Sequence, residues 1–141
     1  MRDPAPGSGR RMRPVIAVPA LALALGAGAA GCAVDTAAPA RAAQRFHAAL
    51  SAHREEAACA LLARRTAERL PDRGQSCADA LRELRLGPGG AVAEVSVWGD
   101  EALVRLRGDT LFLHRYADGW RVRAAGCTPA GDLPYDCEVD D

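Results

Sequence analysis

At 141 residues the chain has room for one domain with one modest core, and a second domain is excluded. All 18 basic residues are arginine, lysine and asparagine are absent, and 18 acids bring the formal charge to zero. Alanine is abundant throughout, the mark of a GC-rich genome, so neither arginine nor alanine frequency carries functional weight.

The amino end has the three parts of a secretory signal over 1–31: Arg10, Arg11 and Arg13, an apolar run from Val15 to Ala30, and small residues ahead of a cysteine. That run is short of the roughly 20 apolar residues of a spanning helix, although an uncut membrane anchor is the competing reading. Met12 to Gly31 makes a compact signal unaided, so Met1 and Met12 both stay open as the start. Arg10-Arg11 is a poor twin-arginine signal, because the residues after the pair do not match that pattern. Ala29-Ala30-Gly31-Cys32 resembles the lipobox of bacterial lipoproteins. The resemblance implies cleavage before Cys32, a diacylglyceryl thioether with palmitate-type chains on its sulfur, and a protein held on the extracytoplasmic face of the cell membrane. Beyond that point the 18 acids lose only Asp3 and the 18 arginines lose Arg2, Arg10, Arg11 and Arg13, leaving 17 against 14. A mildly acidic part without a basic stripe points away from nucleic acid and from anionic lipid heads, so attachment rests on the lipid.

Four cysteines remain, Cys59, Cys77, Cys127 and Cys137, an even number in an oxidising compartment. Three pairings are open; Cys59 with Cys77 and Cys127 with Cys137 is favoured because each closes a short local segment. Each bond would contribute about 2–4 kcal/mol. The spacings are too wide for paired thiolate ligands and no histidine stands near, so no metal is expected.

Residues 32–39 read as a lipidated tether and residues 40–141 as a single domain. A first helix is expected from Ala40 to His53, with Ala42, Phe46, Ala49, Leu50 and His53 on one face. A second runs from Glu55 to Leu70, with Glu55 and Glu56 at its positive end and Pro71 after it. A third begins at Ser76, with Asp79 in capping-box position, and stops at Gly87-Pro88. The period then changes to two. Gly99-Asp100, Gly108-Asp109 and Asp118-Gly119 read as two-residue hairpin turns and define a four-strand antiparallel meander: Ala91 to Trp98, Glu101 to Arg107, Thr110 to Ala117 and Trp120 to Cys127. This register puts Ala93, Val95, Val97, Ala102, Val104, Leu106, Leu111, Leu113, Trp120, Val122 and Ala124 on one face, which only Arg115 interrupts. A one-residue slip would scramble that separation.

The expected fold is therefore α+β, three N-terminal helices packed on one face of a four-strand antiparallel meander. The helix-then-meander order, Gly119-Trp120-Arg121-Val122, and the ending from Gly126-Cys127 to Tyr135-Asp136-Cys137-Glu138-Val139 resemble small actinobacterial lipoproteins of NTF2-like, cone-shaped fold. The resemblance covers about Ala42 to Val139. It implies a roll with a pocket between sheet and helices and pairing of two copies through the outer sheet face. Members include isomerases, hydratases and plain binding modules, so function stays open.

The outer face carries the candidate binding residues Trp98, Arg105, Phe112, His114, Tyr116 and Arg123. The register puts His114 beside Arg123 with Glu94 diagonal to it, so a histidine oriented by a carboxylate is available as a base and arginines to hold an acidic ligand. The competing reading is a solvated face of charges. Trp98, Phe112 and Tyr116 grouped with arginine are what a protein interface favours, or else scattered aromatics beneath the carboxyl-terminal tail. Arg115 sits at the sheet's rim with its head in water, or lines a pocket mouth. His47 and His53, six apart on one helix, point in different directions and cannot share a metal. No Gly-x-Ser-x-Gly elbow occurs, and the acidic end lacks calcium-loop spacing. No catalytic residue, metal or cofactor is expected. The function expected is a membrane-anchored domain that binds a small molecule or a protein without catalysis; the alternative is a small isomerase- or hydratase-type enzyme with its pocket between sheet and helices.

Overall fold

The computed structural model describes residues 33–141. The signal segment over 1–31 and the lipidated Cys32 lie outside the described residues. The first helix, α1 (Ala37–Ser51), starts three residues ahead of its expected beginning. Asp35 starts it there, since its Oδ1 accepts from the amides of Ala37 and Ala38 at 2.9 and 3.2 Å. Pro39 falls in the first turn, where a missing N–H costs nothing. Its buried stripe is Pro39, Ala42, Ala43, Phe46, His47 and Ala49, one position wider than the expected face because Ala43 and His47 join it.

The expected second helix is two helices, α2 (Glu55–Cys59) and α3 (Arg64–Arg69). Between them a turn at Ala60 and Leu61 leads into a bridge to β4: the amide of Ala63 donates to Val122 O at 2.7 Å, and the amide of Val122 donates to Leu61 O at 3.0 Å. A sheet edge offering both a donor and an acceptor outweighs a helix propensity of a few tenths of a kcal/mol per residue, and sequence periodicity does not register that competition. The last helix, α4 (Cys77–Leu84), is capped as expected, with Ser76 Oγ accepting from the Asp79 amide at 3.1 Å. It ends on Arg85 in the left-handed region, φ 51°, ahead of Gly87-Pro88.

The sheet has five antiparallel strands in sequence order, β1 (Val92–Trp98), β2 (Glu101–Leu106), β3 (Thr110–Tyr116), β4 (Gly119–Ala130) and β5 (Leu133–Val139). The expectation of three helices on a four-strand, NTF2-like roll is thus corrected, among the described residues, to four helices with a five-strand meander. α1 is the helix that crosses β1 to β4, while α2 packs against α1 and α4. The fifth strand comes from residues beyond the four expected strands. Gly131, at φ +67°, makes the turn that lets Leu133 return opposite Ala130, and Cys127 faces Cys137 across the ladder. Pro134 is tolerated because this is an edge strand, and exposed Asp136 and Glu138 keep the edge charged.

The first hairpin has the expected register, Trp98 opposite Glu101. The next two are each displaced by two residues: Leu103 faces Phe112 instead of His114, and His114 faces Arg121 instead of Arg123. A slip of two leaves every side chain on its own face, so the separation of apolar from polar residues could not expose it. At β2–β3 the cause is the segment before β1. Gly89 and Ala91 accept from the amides of Gly108 and Arg107 at 2.8 and 2.9 Å, which spends the backbone that a tight Gly108-Asp109 turn needs. Bulges at Ala93 and Arg123 exchange the faces beyond them. Ala93 turns to solvent, and Ala125 instead of Ala124 enters the core with Phe46, Leu81, Val104, Leu111, Leu113, Val122 and Val139.

Cys59 is bonded to Cys77, and Cys127 to Cys137. The first bond ties α2 to the start of α4, and the second closes β4 on β5.

Candidate functional site

On the outer face, one cross-strand row runs Trp98, Glu101, His114 and Arg121. The carboxylate on His114 is Glu101, not Glu94: His114 Nδ1 lies 2.6 Å from Glu101 Oε1. Glu94 instead accepts from Arg105 Nη1 at 2.8 Å, while Arg105 Nη2 donates to the Tyr135 hydroxyl at 3.0 Å. Tyr135 first and Glu94 next hold the Arg105 guanidinium above its ordinary pKa. Arg123 is not opposite His114 in the ladder, although both reach Glu101 Oε1. It grips Asp141 with Nε and Nη2 at 2.8–3.1 Å and reaches Glu101 at 3.3 Å. Burial, the largest influence, pulls the Arg123 pKa down, but Asp141 and Glu101 together outweigh it and leave the net shift upward.

The six candidate residues therefore divide. Tyr116 packs edge-on against His114 at 4.5 Å, whereas Phe112 packs edge-on against Tyr135 at 5.1 Å, so β5 half covers the part of the face around Phe112 and Arg105. Arg123 is held by the carboxyl-terminal residues. Trp98 and Tyr116 remain 51% and 42% exposed.

Tyr116 also borders a cleft of about 430 Å³ between the β3–β4 hairpin and the α2–α3 segment. Leu62, Ala67 and the disulfide-bonded Cys59 supply its apolar lining. Its charges are spent on one another. Arg64 Nε donates to Glu68 at 2.9 Å, and Arg121 Nη2 donates to Asp118 at 2.6 Å while Nη1 donates to Ala60 O. The Arg121 hydrogen bond holds the Asp118 carboxyl below its ordinary pKa. Sequence reading missed this cleft because it exists only where the second helix breaks, and a continuous helix over 55–70 has no such opening.

The space between α1 and the sheet is filled by Phe46, Val104, Leu111, Leu113 and Val122. Arg115 is exposed at the rim: its Nε and Nη2 donate to Asp100 at 2.9 and 2.7 Å, and it lies over the Trp120 ring at 5.7 Å. His47, read as unremarkable in the sequence, is buried with Asp109. Its Nε2 lies 2.6 Å from Asp109 Oδ2, and Asp109 Oδ1 accepts from the Gly126 amide at 2.8 Å. His47 Nδ1 is buried without a partner among the described residues. This pair fastens α1 to the β2–β3 turn and to β4, away from any of the clefts. Among the described residues no group of three histidine, cysteine or acidic side chains is placed to hold a metal.

Comparison with models of known protein families, with curated proteins and with solved structures gives no match.

Proposed function

We propose that the chain is a lipid-anchored extracytoplasmic binding domain that takes its ligand or protein partner at the cleft beside Tyr116 and performs no chemistry on it. The observation that carries this reading is a half-exposed aromatic over an apolar lining. Tyr116 is 42% exposed, its ring is braced by His114, and the cleft of about 430 Å³ lies within the ordinary range of ligand sites, ~300–1,000 Å³. Aromatic side chains of this kind supply much of the energy in binding surfaces. Every charge along the cleft already has a partner, so an apolar group, with the phenol to orient it, is what the lining suits. Two disulfides accord with an oxidising compartment, and the short apolar signal before Cys32 supports export and anchoring.

Native mass spectrometry of the whole protein from an exporting host tests both halves. A retained ligand or partner, the same chain included, that is present in the wild type and lost in Tyr116→Ala supports the cleft. No adduct, or equal retention in the variant, removes it as the site. The mass of the wild-type chain should show cleavage before Cys32 and a diacylglyceryl group on it, both absent from Cys32→Ala; an unlipidated Cys32 in the wild type refutes the anchor.

A further inference from the structure

A separate cavity of about 260 Å³ lies where α1 and α4 end and α2 begins. Leu50, Leu81 and Leu86 give it an apolar lining, and Glu55 faces it from the first residue of α2. Glu55 is only 6% exposed, and a carboxylate removed from water needs a charged or hydrogen-bonded partner. Among the described residues the cation within ion-pair distance is Arg82, whose Nη2 stops 3.6 Å away, too far for a hydrogen bond. That guanidinium already gives Nη1 to Asp79 at 2.7 Å.

Both α1 and α4 end beside the cavity, and helix carboxyl ends carry partial negative charge. At the mouth stand His53 and Arg85, both exposed. They occupy left-handed backbone positions, φ 52° and 51°, where glycine costs least. Two helix ends thus use basic residues where the backbone favours none, and both border this cavity.

We propose that the cavity binds a small aliphatic zwitterion, with a primary ammonium group on Glu55, its carbon chain against Leu50, Leu81 and Leu86, and its carboxylate toward Arg85 at the mouth. The ammonium then adds a hydrogen-bond donor to a carboxylate whose charged partner among the described residues, Arg82, stands 3.6 Å away. The volume admits a ligand smaller than most drug-sized ones, whose sites start near ~300 Å³. This site is independent of the Tyr116 cleft and stands whether or not that reading holds.

The test is an NMR titration of the whole protein with 5-aminopentanoate, 1-aminopentane and pentanoate, followed at the amides of His53, Glu55, Arg85 and Leu86. The expected order of affinity is 5-aminopentanoate, then 1-aminopentane, with pentanoate weakest. Glu55→Gln should weaken both amines at least tenfold, and Arg85→Gln should weaken 5-aminopentanoate while sparing 1-aminopentane. The proposal is overturned if pentanoate binds as well as the zwitterion, if Glu55→Gln leaves the amines unaffected, or if none of the three moves those amides. Should Glu55→Gln fail to fold, the ranking of the three probes on the wild type still decides, because only a carboxylate inside the cavity puts 1-aminopentane ahead of pentanoate.

Discussion

His47 and Asp109 are 62 residues apart in the chain and meet as a buried polar pair. Asp109 accepts twice, from the His47 ring and from the Gly126 amide, so an ionised carboxylate there is satisfied only while the ring keeps its proton on Nε2. His47→Ala leaves the carboxylate buried with one donor, a loss on the order of 3–5 kcal/mol. Asp109→Asn is milder. Its amide oxygen still serves Gly126, but its NH2 then faces Nε2, forcing the ring proton onto Nδ1, which has no acceptor; about 1–3 kcal/mol is expected for that buried unsatisfied donor. Urea unfolding of both variants checks the order, and an Asp109→Asn loss equal to that of His47→Ala would show that the tautomer does not matter. Gly89 belongs to the same unit, because a Cβ there would come within 2.5 Å of His47 Cγ. The signal in the sequence was modest but present: His47 lies four residues after Ala43 and beside Phe46, on the edge of the α1 apolar stripe. Asp109 gave none, since a turn accounts for an aspartate after glycine equally well.

At the level of elements, the readable features were those that local chemistry decides. The cap on α4 is one. Ser76 accepts from the Asp79 amide, and its hydroxyl donates back to Asp79 Oδ2 at 2.7 Å. This hydrogen bond, followed by that from Arg82, holds the Asp79 carboxyl below its ordinary value of 3.8. A carboxyl with a depressed folded-state pKa contributes stability that is present above the unfolded value and lost as pH falls through the folded one. The start of α4 is therefore expected to loosen as pH falls below about 4, the unperturbed carboxylate range, visible as faster amide exchange at Asp79 and Ala80 relative to the sheet. Asp79→Asn should flatten that dependence, and an unchanged pH profile in the variant would assign it to another carboxyl. Of the hairpin turns, Gly99-Asp100 formed as read, while the other two were legible in place but not in length or register; the local cysteine pairing was legible too. Strand register was legible only modulo two, because burial records the face of a residue and not its partner. That is why Glu101, and not Glu94, stands beside His114. The strand at the carboxyl end was hidden by Pro129 and Pro134, which read as loop until an edge position makes proline acceptable.

Across the whole molecule, the helical part and the sheet are joined by contacts that no local pattern announces. The Leu61–Ala63 stretch lies along β4 and bonds it on both sides of Val122, so the first half of β4 is covered on the edge away from β3, as β5 covers its second half. The same stretch separates α2 from α3 and thereby opens the cleft beside Tyr116. Fold and candidate site thus have one origin, a tertiary hydrogen-bond pair that interrupts a segment with helical periodicity. Ala63→Pro isolates it. The backbone at Ala63 already has φ −59°, which proline adopts without strain, so the change removes the donor to Val122 O and sets a ring carbon against that oxygen. With Ala63 fully buried, the freed carbonyl has no water to replace it, and a loss of about 1–3 kcal/mol is expected. Amide exchange at Val122 should quicken and the cleft around Leu62 should widen, while the disulfides and β1–β3 stay intact. If exchange at Val122 is unchanged and the helix runs continuously through 60–63 in the variant, the edge contact is a consequence of the break and not its cause, and the cleft must then be attributed to the Cys59–Cys77 bond.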